Sequence, residues 1–230
     1  RVSTSDFASF FTASAVNTTG GDAIDFGTDG PGGLGDVRLT LTGATGSIIP
    51  AGTGTNSGLF GLVESPTTPG TFIKGGEIQL YSTVGGEIEG RIGTEVYFTI
   101  SNSGSDVTLT QHATNNIWHT QAGDEASGKH DDVESLDGMA DNSASMTYSI
   151  NLVGNILDSE GDFAEASLSL TQAVNVNGTE QRIFNFGDDG PSVTGDLSFG
   201  DVTVDDFKGI QLSVDESPDA QDNPEDTDGD

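Results

Sequence analysis

Apolar and polar residues alternate with a period of two wherever apolar residues gather along this chain. Val37, Leu39 and Leu41 do so in VRLTLT, Val96, Phe98 and Ile100 in VYFTI, Val107 and Leu109 in VTLT, and Met146, Tyr148, Ile150 and Leu152 in MTYSINL. Successive side chains of a strand point to opposite faces, so each segment predicts a strand with one face on a core. EIQLYS from Glu77, the segment around Leu168 and Leu170, and Arg182 to Phe186 add three more. In the last of these, Phe184 and Phe186 share a parity that turns both rings inward. Gly75-Gly76, Gly85-Gly86, Ser103-Gly104 and Asn177-Gly178 predict the turns between strands. Many short strands separated by turns predict an all-β chain, an antiparallel β-sandwich-like domain or a related antiparallel fold.

Two stretches break the alternation. Gly43 to Ser57 is Gly, Thr, Ala and Ser with little apolar content, and Gly123 to Ser145 is acidic, anchored only by Val133, Leu136 and Met139. Irregular segments of this length in a compact domain are usually functional or mobile. The second offers room for one short helix across Asp131 to Ala140. The final residues, DESPDAQDNPEDTDGD, carry eight carboxylates and two prolines with no basic or aromatic side chain. Such a composition cannot bury enough apolar surface to offset its ordering entropy, so it reads as a solvated linker. The division that follows is a single β-rich module over residues 1–214 and an acidic linker over 215–230 leading to a further domain. The abrupt opening at Arg1, with no signal peptide, reads as a piece cut from a longer polypeptide.

Charge narrows the partners. Thirty-seven acidic residues against 7 basic ones leave a formal net charge of −30, which repels nucleic acid and anionic membranes. The chain also repels itself, so folding calls for screening salt or bound cations. Calcium is the natural ion, being hard and held by carboxylate and carbonyl oxygens. No apolar run approaches the roughly 20 residues of a membrane span. With no cysteine, disulfides and thiolate metal sites are excluded. There is no GxSxG sequence, and carboxylates are so frequent that any glycosidase-like pair is expected by chance. The chain is accordingly expected to bind rather than catalyse.

Three places gather carboxylates. LDSEGDFAEASLSL sets Asp158, Glu160 and Asp162 at alternate positions around Gly161, as the opening of an EF-hand loop does, although Ser169 stands where that loop needs its glutamate. A polar turn between strands is the alternative. FGDDGPSV places Asp188 and Asp189 beside a Gly-Pro turn, and its echo FGTDGPGG follows Asp22 and Asp25 and contains Asp29. Each is a good turn in itself and each a candidate calcium site. Asp25 and Asp29 precede a glycine run whose backbone can approach a ligand closely. His112, His119, His130 and the single tryptophan, Trp118, lie in QHATNNIWHTQAGDEASGKHDD. Zinc would require those imidazoles to converge, while Trp118 and His119 beside an acidic loop form a candidate recognition surface.

Taken in order, DFGTDGPGG, VYFTISNSGSDVTLTQ, the SLDG element at Ser135 to Gly138, LDSEGDFAEASLSL and FNFGDDGP resemble the large repeat units of bacterial RTX-type adhesins exported by type I secretion. Glu160 replaces an aspartate of the T-D-x-D-G-D element usual there. The resemblance implies a calcium-dependent, extracellular, monomeric module within a very long cell-surface chain active in adhesion and biofilm formation. It implies either a binding module for peptide or protein ends on a host or neighbouring cell or a calcium-stiffened spacer; for the former, Asp25, Asp29, Trp118 and His119 are the candidate ligand contacts by their own local sequence. A glycan-binding, lectin-like module is the third implication.

Overall fold

The computed structural model describes residues 2–16, 30–112, 115–119, 133–140, 143–172, 174–176, 179–187 and 212–215. The expected all-β, antiparallel, sandwich-like architecture is what the chain forms. Its larger sheet has six antiparallel strands: in spatial order β1 (Val2–Asp6), β7 (Asp106–Gln111), β6 (Glu95–Ser103), β5 (Ile88–Ile92), β4 (Phe72–Ser82) and β3 (Gly54–Glu64). A second antiparallel sheet sets β9 (Tyr148–Asp158) between β10 (Phe163–Ser169) and β2 (Pro31–Gly43).

The alternating apolar positions meet between these sheets. Ile78 and Leu80 of β4, Phe98 and Ile100 of β6, and Val107 and Leu109 of β7 are fully buried, as are Leu41, Ile150 and Leu152 from the second sheet. Burying side chains of this size stabilises by about 1.5–3 kcal/mol each. Two glycines are required by how closely rings approach. A Cβ at Gly90 would stand 2.3 Å from the Phe98 ring, and one at Gly154 would stand 2.4 Å from Phe11. The sheets are also joined by polar contacts, since the buried Tyr148 hydroxyl donates to the Ser57 carbonyl at 3.0 Å.

Two smaller sheets complete the described residues. β13 (Phe184–Gly187) pairs antiparallel with β8 (Val133–Ser135) and parallel with β14 (Leu212–Asp215), the one parallel pairing among the described residues. Phe184 and Phe186 do both point inward, and the Phe186 ring lies 5.0 Å from that of Phe98. β11 (Val174–Val176) and β12 (Thr179–Gln181) form a short hairpin.

Three local expectations are corrected. The described part of Asp131 to Ala140 contains no helix: Val133–Ser135 is a strand, the Leu136 amide donates to the Phe184 carbonyl, and Gly138 adopts φ +81°, a left-handed conformation foreign to a helix. The helix lies instead at α1, Ala8–Val16, which the period-two reading passed over. The Asp6 carboxylate accepts the Ala8 amide at 2.8 Å, and the spacing of Phe7 and Phe11 buries both rings. Gly75-Gly76 is a bulge within β4 rather than a turn, because Lys74 to Glu77 oppose only Leu62 to Phe60. The irregular stretch from Gly43 also ends early, at Gly54, where β3 begins.

Candidate functional site

The outward face of the β10–β9–β2 sheet carries the polar half of the alternation. Antiparallel register sets Thr42 opposite Ser149, Thr40 opposite Asn151 and Arg38 opposite Val153, with Ser169 and Ser167 across from Asn151 and Val153 on the other side. Cross-strand neighbours stand close enough to interact directly, and here they link into one network. Asn151 donates to the Thr42 hydroxyl at 3.1 Å, Ser149 donates to Asn151 Oδ1 at 2.9 Å, and the Ser149 and Ser169 hydroxyls lie 2.9 Å apart. These bonds orient the groups before any ligand arrives.

Above this floor lies a trough of about 590 Å³, a volume suited to a small ligand or a few residues of a peptide. One wall is the tight turn after β2, in which Gly43 N donates to the Ser47 carbonyl and Thr42 bridges to Ile48. The other includes Met146, just before β9. Of the two irregular stretches of the sequence, the first, from Gly43, therefore flanks the trough. At the far end, Arg38 of β2 is ion-paired with Glu165 of β10, and Arg38 Nη1 also donates to Asn155 Oδ1 at 3.4 Å. Both charged side chains are about half exposed, at 44% and 51%, so water screens the pair and its contribution to stability is small.

Of the residues expected to hold calcium, Asp22, Asp25, Asp29, Asp188 and Asp189 lie outside the described residues. Asp158 closes the turn between β9 and β10: its Oδ1 accepts the amides of Glu160, Gly161 and Asp162 at 3.0, 2.8 and 2.9 Å. Glu160 and Asp162 are exposed. Among the described residues, no three His, Asp or Glu side chains stand where they could hold one metal ion. The glycine run does come to this turn. Gly30, next in sequence after Asp29, accepts the Ser159 amide at 3.1 Å, Pro31 pairs with Asp158, and Gly32 leaves no room for a Cβ against the Asp158 carbonyl. The close backbone approach expected of these glycines is thus made to the chain's own turn.

Trp118 and His119 sit at the outer edge of β3, away from the trough. The Leu62 amide donates to the Asn116 carbonyl and the Trp118 amide to the Phe60 carbonyl, so residues 116–118 extend the sheet by a short antiparallel segment. Lys74 Nζ stands 3.4 Å from the Phe60 ring centroid and 5.0 Å from that of Trp118, a cation–π arrangement. Phe72 and Ile73 are 61% and 41% exposed on the same hairpin. His112 bonds Thr99 at 3.1 Å, and His130 lies outside the described residues.

The trough residues Arg38, Thr42, Ser149, Asn151 and Glu165 were missed by sequence reasoning. Their signal was the polar parity of the strands already recognised, which by itself does not say which strands lie side by side. A family model described as a domain of unknown function (DUF5801) matches residues 2–171, a span that contains every residue lining the trough. No curated protein and no solved structure matches the chain.

Proposed function

The chain belongs to the DUF5801 domain family, and on that footing we propose that it is a ligand-binding module of a large extracellular bacterial adhesin of the RTX type. It holds the end of a peptide or protein on a host or neighbouring cell. The observation that carries this reading is the preorganised trough on the β10–β9–β2 sheet. Its floor offers hydroxyl and amide groups that match the donors and acceptors of a peptide backbone, and Ile48 and Met146 offer apolar contact to a side chain. Binding rather than catalysis fits a floor whose polar groups already bond one another. A saccharide is less well served, because the one ring lining the trough among the described residues, Tyr148, is buried and gives no exposed face for stacking.

Calcium belongs to the proposal as a stabiliser of the fold. In its support, the acidic motif at Asp158 adjoins the glycine run that follows Asp25 and Asp29 in sequence, and the net charge of −30 favours cation uptake. No step of ligand binding is routed through the ion. The test is an array of short peptides probed with the domain and with Asn151→Ala. Binding that the variant weakens about tenfold, as loss of a preorganised hydrogen-bonding group would produce, supports the trough. Saccharide binding with no peptide binding, or peptide binding that the variant leaves unchanged, overturns the assignment.

A further inference from the structure

We infer that the end held in the trough is a free amino terminus, with Glu165 receiving its ammonium and Arg38 its first carbonyl. The inference rests on the peptide reading above and names which end is read. The Arg38–Glu165 pair stands at one end of the trough, and the two side chains offer complementary chemistry there. A carboxylate has about four acceptor positions. Arg38 Nη2 occupies one oxygen of Glu165, so room remains for an ammonium to donate. The guanidinium has five N–H donors, of which Glu165 and Asn155 take one each among the described bonds, so others can reach a carbonyl oxygen. The α-ammonium and first carbonyl of a peptide are separated by a single carbon, and the guanidinium and carboxylate that would meet them are already in contact.

A carboxyl terminus fits the same place poorly. It would approach Arg38 beside the negative Glu165, and it would enter the field of a chain carrying −30, which slows and weakens binding of anions. An ammonium is favoured by both. The remainder of the peptide then runs along the hydroxyl floor toward the Gly43–Ser47 turn.

The experiment uses matched tetrapeptides with free or acetylated amino ends and free or amidated carboxyl ends, titrated against the domain, Glu165→Gln and Asn151→Ala. Glu165 is exposed on an edge strand, and its variant's fold is checked by thermal melting. The expected result is about tenfold weaker binding on acetylation, the scale of losing a hydrogen bond to a charged group. Amidation should have no effect, and Glu165→Gln should erase the acetylation difference. If the free carboxyl end is required and acetylation is neutral, while Asn151→Ala still weakens binding, the amino-end inference falls and the peptide reading survives. Should no tetrapeptide bind, both fall together.

Discussion

At the scale of the residue, Tyr148 shows how a buried polar group constrains this core. Burial raises its phenol above the ordinary tyrosine value, and the nearby Asp137 carboxylate adds to the rise. Tyr97 is raised too, first by burial and then by Glu95. In the unfolded chain a tyrosine loses its proton near pH 10. Above that pH the folded state therefore binds more protons than the unfolded one, and stability must fall as pH rises. Tyr148 alone should contribute a loss of about 1.4 kcal/mol per pH unit there. Tyr148→Phe should cost about 1–3 kcal/mol at neutral pH, because the Ser57 carbonyl loses its donor, yet it should flatten the alkaline slope. Urea unfolding between pH 8 and 11 measures both effects, and equal alkaline slopes in the two proteins would sink the account. The alternation in MTYSINL had already shown Tyr148 facing the core; nothing in it told that the hydroxyl would meet Ser57, far away in sequence.

At the scale of the element, the outer edge of β3 is the instructive case. Exposed edges invite pairing with other chains, and here the chain covers its own edge with residues 116–118. Their sequence, Asn-Ile-Trp, has too few apolar positions to display any period, so the segment could not be recognised as an added strand. Ile117 nevertheless supplies a buried anchor. Leu62→Pro should remove the amide that bonds Asn116 while leaving the pairing of β3 with β4 intact, since proline is tolerated on edge strands. The chain has one tryptophan, so fluorescence reports on this edge alone. Emission should shift to longer wavelength as Trp118 becomes wetter, with a stability loss of only about 1 kcal/mol; an unchanged spectrum would mean the segment is held by something else. The helix α1 and the strand β8 teach a related lesson. Phe11 buries where Gly154 leaves a hollow, and Val133–Ser135 extends because β13 lies beside it. Tertiary partners decided both elements.

At the scale of the whole molecule, charge and topology set the remaining behaviour. Lowering the Debye length from about 30 Å at 0.01 M salt to about 8 Å at 0.15 M should raise the melting temperature, because a net charge of −30 opposes the compact state. Calcium acting as a specific ligand should raise it further at matched ionic strength, by the equivalent of about 2.7 kcal/mol per site at 100-fold excess over Kd. Identical melting in calcium and sodium chloride at equal ionic strength would reduce the calcium proposal to screening. The all-β class, the core faces of β2, β4, β6, β7, β9 and β13, and the acidic character were determined by the sequence alone, because period-two burial and net charge are properties of neighbouring residues and of sums. Which strands are neighbours, and therefore that Arg38, Thr42, Asn151 and Glu165 share one trough, was decided only by the tertiary structure. Their outward parity is local, but β2 pairs with β9 and reaches β10 through contacts between residues more than 100 positions apart, and no local pattern encodes that arrangement.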